Sequence, residues 1–369
     1  MEGRRRLVAA VAAVTAVLAV GATAPVRAGA PALSSPEWRD RVRAAGLDPD
    51  EVIYPFAATP EMIAWAEAVT AGPGGSGPLS KLQRLQEAMF DPERLGFDYD
   101  EERTLTAREA FSVRAGNCLS FTSLFIALSR GIGIPTFLVS VRREPEVGRD
   151  QDLVVINRHV VAGYRVGRQL TLFDFYLSAA TDLASHSLVD DVRASAMFHT
   201  NLGGSALRDG RPADALPQLE IATTLSPEWS PGWVNLGVAR SRLADPAGAL
   251  AAYQTALEVD PGNASALTNL SVLYREMGRE AEARVALLAA GRTTDSPFTL
   301  VTLADAAIVG GDYRRAASLL KRAKRRYPVE PEVFESLARL ALRRGEPARA
   351  ERHLRKAAGL RSERAAASD

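Results

Sequence analysis

The spacing of apolar positions changes character twice along this chain. Helical spacing comes first. Pro60-Glu61-Met62-Ile63-Ala64-Trp65-Ala66 opens a helix with proline in its first turn, and the glycine-rich run Gly72–Pro78 closes it. Leu79, Leu82, Leu85 and Met89 predict a second helix over Leu79–Phe90. Thr106-Ala107-Arg108-Glu109 is a capping-box pattern ahead of a short helix carrying Ala110 and Phe111. A longer helix is predicted from near Cys118 to Arg130. Leu119, Leu124, Ile126, Ala127 and Leu128 make it apolar nearly all round, which predicts a central, buried position. After the break at Gly131-Ile132-Gly133-Ile134-Pro135, the runs Thr136–Arg142, Leu153–Ile156, His159–Tyr164 and Gln169–Phe175 are rich in Val, Phe, Leu and Tyr, as strands are. Helices followed by an antiparallel set of strands predict an α+β domain over Pro31–Arg193.

From Ala196 the pattern becomes a repeat. Leu202, Leu236, Leu270, Leu303 and Leu337 recur at steps of 34, 34, 33 and 34. Gly203, Gly237, Ser271, Ala304 and Ala338 follow them, and Ala215, Ala249, Ala283, Ala316 and Ala350 keep the same steps. Small residues at fixed offsets let paired helices approach closely, while Leu with Tyr253 or Trp233 fills the seam. The units resemble the tetratricopeptide repeat, most clearly from Trp233-Val234-Asn235-Leu236-Gly237 to Asp260-Pro261. Five units over Ala196–Arg364 predict an all-α solenoid whose concave face binds a protein or peptide partner.

The N-terminus reads as an export signal. Arg4, Arg5 and Arg6 precede an apolar run, Leu7–Val20, and small residues lead to a cleavage site expected after Ala28. The uncharged stretch is long enough to span a bilayer if retained, so an uncleaved segment would tie the protein to a membrane. A periplasmic or extracellular location is expected. The 45 Lys and Arg against 44 Asp and Glu leave a formal charge of +1, so no acidic polymer is expected as partner of the whole chain, and export disfavours nucleic acid. The balance is uneven, however: Tyr313–Arg364 holds 16 Lys or Arg and 6 Asp or Glu.

Export makes the single cysteine informative. Cys118 has no internal disulfide partner, and it stands where a loop becomes a helix, a position whose backbone N–H groups favour a thiolate. A cysteine nucleophile needs a base, and that base needs an orienting group. Of the four histidines, His199 and His353 lie within the repeats and read as structural, and His186 lies in a polar connector. His159 opens a strand, and the next strand places Asp174 in the apolar run Leu170-Thr171-Leu172-Phe173-Asp174-Phe175-Tyr176, where a carboxylate needs a partner. One Cys and dispersed His predict no metal site, and no cofactor is expected. Gly72–Pro78 lacks the lysine and following helix of a phosphate loop and reads as a linker.

The order Cys, helix, strand, His, strand, Asp resembles the transglutaminase-like branch of the papain-type fold. The segment Thr104-Leu105-Thr106-Ala107-Arg108-Glu109-Ala110-Phe111, leading to Gly116-Asn117-Cys118-Leu119-Ser120-Phe121, is similar to the family's nucleophile region. Arg158-His159-Val160 and Phe173-Asp174-Phe175 look like its histidine and aspartate strands. The resemblance covers Leu79–Tyr176 and implies Cys118 as nucleophile, His159 as base and then acid, and Asp174 as orienting group. It implies acyl transfer at an amide or peptide carbonyl. Animal transglutaminases use an upstream tryptophan as an oxyanion donor, and no Trp lies between Gly72 and Cys118; Tyr99 is the nearest substitute. That departure favours hydrolysis over cross-linking. The rival reading is a non-catalytic interaction scaffold that retains a degenerate core.

Overall fold

The computed structural model describes residues 16–19, 35–72, 77–143, 147–150, 153–156, 159–167, 169–174, 181–293 and 297–368. Most of the expected export segment, Met1–Ala28, lies outside the described residues; Ala16–Ala19 form strand β1. Among the described residues no helix is long and apolar enough to cross a membrane. The chain divides into two compact units: Met1–Glu144 with Arg158–Ser205 and Pro217–Pro227, and Pro145–Asn157 with Ala206–Leu216 and Glu228–Asp369.

The first unit opens with helices α1 (Ser35–Ala44), α2 (Pro60–Thr70) and α3 (Pro78–Phe90), then strand β2 (Asp98–Tyr99), α4 (Ala107–Val113), β3 (Ala115–Gly116) and α5 (Cys118–Gly131). Strand β4 (Phe137–Arg143) follows, and the chain leaves for the hairpin β5 (Val147–Asp150) and β6 (Leu153–Ile156), which groups with the second unit. It returns as β7 (His159–Val166), β8 (Gln169–Phe173) and β9 (Thr181–Val189). The five-stranded sheet runs β1-β8-β7-β4-β9, antiparallel at every pairing. Helix α5 packs on this sheet and is buried at every residue from Leu119 to Ser129, as its uniform apolar pattern requires. Phe121 and Phe125 stack between α3 and β8, with Phe90 and Phe173 as their partners at 5.2 and 4.9 Å.

Two elements depart from the sequence expectation. The polar connector around His186 is a strand: Val141 pairs with His186, and the β4–β9 register shifts between Val141 and Arg142. Its β-structure comes from pairing with a central strand rather than from its own composition. Helix α1 was not expected. It is amphipathic through Trp38 and Val42, which pack with Val52, Val192, Ala196 and Leu225.

Helix α6 (Asp191–Arg208) as far as Ser205, and the part of α7 (Pro212–Leu225) from Pro217, belong to the first unit. Trp38 donates through its indole to Ser195 Oγ at 3.1 Å, and Gly203 lies so close to Leu219 that an added Cβ would meet its side chain at 2.6 Å. The second unit continues as helix pairs: α8 (Ser230–Arg242) with α9 (Pro246–Val259), α10 (Ala264–Glu276) with α11 (Glu280–Thr293), α12 (Pro297–Val309) with α13 (Tyr313–Arg326), and α14 (Pro331–Arg343) with α15 (Pro347–Ser368). First helices of successive pairs pack on one another, so they line the inner side of the array. The small repeat positions are the close-approach points, as at Gly237 against the Tyr253 ring.

Arg130, at the C-terminal end of α5, forms a two-pronged ion pair with Asp191 at 2.8 and 3.0 Å. Its Nε donates to the Thr136 carbonyl at 2.9 Å, and its guanidinium lies 5.0 Å from the centre of the Phe56 ring. The Asp191 side chain is only 2% exposed, and Tyr54 adds a hydrogen bond to it at 3.0 Å. Burial, reinforced by Asp191, holds the Tyr54 phenol well above its usual range, so it remains a donor. Arg130→Met strands a buried carboxylate and should lower unfolding free energy by about 3–5 kcal/mol in urea titrations. A loss below about 1 kcal/mol would show that the pair is replaceable.

Candidate active site

The loop entering α5 is built to hold a helix end open. Asn117 is the N-cap: its side-chain oxygen accepts from the N–H groups of Leu119 and Ser120, both at 3.1 Å. Its own amide donates to Thr104 Oγ1 at 2.8 Å, and its backbone N–H reaches the Arg103 carbonyl. Ser120 Oγ accepts from Leu105 N–H at 2.7 Å and donates to the Arg103 carbonyl at 3.0 Å. Gly116 sits at φ 152°, and a Cβ there would meet the Ser120 Cβ at 2.5 Å, so only glycine passes between the two strands of this knot. Cys118 thus becomes the first helical residue. Its N–H has no acceptor among the described residues and points out of a helix end that favours negative charge. The thiol is half-buried.

The sheet brings the partners. Thr122 Oγ1 on α5 donates to the Val160 carbonyl at 3.2 Å, pinning the helix to β7 beside His159. Strand β8 ends at Phe173, and Asp174 follows at once. His159 Nε2 and Asp174 Oδ2 lie 2.7 Å apart, both side chains buried. The imidazole also hydrogen-bonds the Cys118 sulfur. Cys118, His159 and Asp174 therefore form one continuous chain of contacts across three elements. Burial alone would lower the pKa of His159. The hydrogen bonds to Asp174 and then Cys118 outweigh it and raise the value to about 10.

Tyr99 pairs in β2 opposite Gly116, two residues before the cysteine, and is 42% exposed. It lies on the strand that flanks the thiol loop. The remaining histidines are committed elsewhere. His199 Nε2 accepts from the Ile53 N–H at 3.1 Å, which leaves Nδ1 to donate to Gln218 at 2.7 Å. Burial lowers its pKa, so it is a neutral structural residue. His353 is likewise lowered, first by burial and then by Lys324, Arg349 and Arg352. His186 lies across from Val141 in β9. Among the described residues no group of three or more His, Cys, Asp or Glu could hold a metal ion.

Sequence reasoning missed Gln86. It is fully buried on α3, and its Nε2 donates to the Asp174 carbonyl at 2.8 Å, fixing the backbone that carries the carboxylate. The signal was available: Gln86 falls on the Leu82, Leu85, Met89 stripe, where a polar residue needs a reason.

Residues 63–169 match the family model described as the transglutaminase-like superfamily, and 242–297 and 301–368 match tetratricopeptide repeat models. A 70-residue stretch is 36% identical to the Hsp70-Hsp90 organizing protein of Triticum aestivum, covering 19% of this chain and 12% of that protein. Among solved structures, PilW, described as a widely conserved type IV pilus biogenesis factor, is similar at 20% identity and a TM-score of 0.40 over 45% of this chain and 78% of PilW. PilF of Pseudomonas aeruginosa is similar at 24% identity and 0.40, over 45% and 77%. The chain thus carries a transglutaminase-like domain followed by an all-helical tetratricopeptide region.

Two measurements address the site. Asn117→Ala removes the acceptor of two N–H groups at a buried helix end and should cost about 1–2 kcal/mol in urea unfolding. An unchanged midpoint would show that water or Ser120 replaces the cap. The His159 ring should titrate near 10 by NMR and fall in Asp174→Asn, which removes the largest raising contribution. Because the folded value exceeds the ordinary 6.5, the stabilisation from this proton is whole below that value and fades as pH rises through about 10. Urea midpoints should therefore drop between about pH 7 and 10, and the drop should flatten in Asp174→Asn.

Proposed function

We propose that the protein is an exported cysteine acyl-transfer enzyme acting on amide or peptide bonds of a protein substrate, with hydrolysis favoured over cross-linking. The observation that carries this reading is the contact chain Cys118–His159–Asp174 at the open N-terminus of α5. The export signal read from the N-terminus supplies the location, periplasmic or extracellular. The tetratricopeptide region is a protein-interaction element, and in this proposal its inner face holds the substrate or a partner. The working division is a catalytic domain over 31–193 and repeats over 196–364.

The chemistry follows from the geometry. The Cys118 proton passes to His159, and the resulting thiolate attacks the carbonyl carbon, forming a C–S bond while the carbonyl π electron pair moves onto oxygen. The Cys118 N–H, unclaimed by the cap, donates to that oxygen, and Tyr99 is the second candidate donor. As the intermediate collapses, the C–N bond breaks and the imidazolium of His159 gives its proton to the leaving amine. His159 then takes a proton from water, whose oxygen attacks the thioester, and the C–S bond breaks to release acid and regenerate Cys118. Asp174 holds the ring throughout and stabilises its charged form.

Cys118 is the sole cysteine, so whole-protein mass spectrometry reads its alkylation without ambiguity. Iodoacetamide should modify it rapidly at neutral pH, and His159→Ala should slow that reaction by about 100-fold or more. A thiol inert in the folded protein, or equal rates in both forms, would refute the catalytic assignment and favour the scaffold reading.

A further inference from the structure

The last two helix pairs contain a recess that the candidate active site does not use. Its walls are α13 and α15, the second helices of consecutive pairs, and its floor is α14. Since first helices α10, α12 and α14 pack on one another, the recess opens on the side away from the inner face of the array. Its volume is 330 Å³, enough for a small ligand or for side chains rather than a whole chain.

The recess has an apolar base and a cationic rim. Leu320 and Leu340 are buried at the base, with Leu337 partly open beside them. Lys321, Lys324, Arg344 and Arg349 surround it. Glu346 is the one carboxylate among the lining residues, and Arg349 already engages it at 2.9 Å. Lys321 and Lys324 find no carboxylate partner among the described residues, and Lys324 lies instead over the Phe334 ring at 5.6 Å. Arg344 is held in place by donating to the Tyr313 carbonyl at 2.7 Å. His353, at the same recess, has its proton affinity depressed by burial and then by Lys324, Arg349 and Arg352.

We propose that this recess binds an acidic segment of a partner protein, with an apolar side chain seated on the partly open Leu337 and Ala317 and flanking carboxylates meeting the rim cations. Charge complementarity selects the sign of the ligand. The apolar base selects a peptide, because a polyphosphate backbone offers nothing to bury there. The surrounding sequence extends the field: 16 Lys or Arg and 6 Asp or Glu lie between Tyr313 and Arg364. The site is independent of acyl transfer and stands whether or not Cys118 is catalytic.

Fluorescence anisotropy with fluorescein-labelled Glu-Glu-Leu-Glu-Glu and the full chain tests this. Saturable binding is expected, and Lys321→Glu combined with Lys324→Glu should weaken it by about tenfold or more. Both lysines are exposed, so the variant should keep its circular dichroism. Arg314→Glu with Lys356→Glu makes the same charge change outside the recess and should have less than about a threefold effect. The Glu-Glu-Ser-Glu-Glu peptide should bind more weakly, and the His353 ring resonances should shift on adding the leucine peptide. Equal losses in both double variants, indifference to the leucine, or unmoved His353 resonances would overturn the assignment. So would failure of the peptide to bind while phosphatidylglycerol vesicles bind and are lost in the Lys321, Lys324 variant, which would give the recess to lipid.

Discussion

The buried pair of Arg130 and Asp191 fixes the element on which the rest of the first unit is arranged. A carboxylate that is 2% exposed is tolerable only with its oxygens satisfied, and both are: one prong of the guanidinium on each, with Tyr54 completing the set. The same guanidinium reaches the Thr136 carbonyl and covers Phe56, so it ties the end of α5, the start of β4 and the start of α6 to one point. The far end of α5 is tied just as firmly, by Asn117 and Ser120 to the Arg103–Leu105 segment. A helix fastened at both ends and buried along its whole apolar length has little freedom to tilt. Cys118 is presented by that helix, and so its direction is set by residues more than a dozen positions away.

Much of this could be read from the residues alone. The repeat columns, the capping box at Thr106 and Glu109, and the central burial of α5 are local patterns, written within a few turns of chain. His159 stands out as the histidine that opens a strand and Asp174 as a carboxylate within an apolar run, and the β7–β8 pairing sets them side by side. The failures share one cause. Strand β9 is polar and acquires its conformation from β4, while α1 carries only Trp38 and Val42 as apolar anchors, whose partners Val192, Ala196 and Leu225 are distant in sequence. Neither element carries enough local signal to be recognised without its partner. Gln86 was readable in principle but meaningless until the carbonyl it holds was located.

Histidine placement shows how surroundings divide one side chain into different roles. His159 is buried yet strongly favours its proton, because a carboxylate and a sulfur both accept from it. His199, equally enclosed, meets a backbone N–H and an amide and stays neutral. His353 loses proton affinity to burial and neighbouring cations. Only the first arrangement keeps a buried ring protonated beside a thiol. The difference lies in whether the contacts of each ring offset the effect of its burial.

The first helix pair has a consequence for how such a chain can be assembled over evolutionary time. Helix α6 supplies Ser195 to the Trp38 indole and His199 to the Ile53 backbone, and Leu225 of α7 completes the same apolar cluster. A gene fusion or exchange with its breakpoint where the repeat phase begins would therefore strip the first unit of one wall and leave Trp38 facing water. Breakpoints after Pro227 spare every one of these contacts. Duplication or loss of the later repeats leaves these contacts intact, whereas the first pair is bound to the unit that carries the thiol.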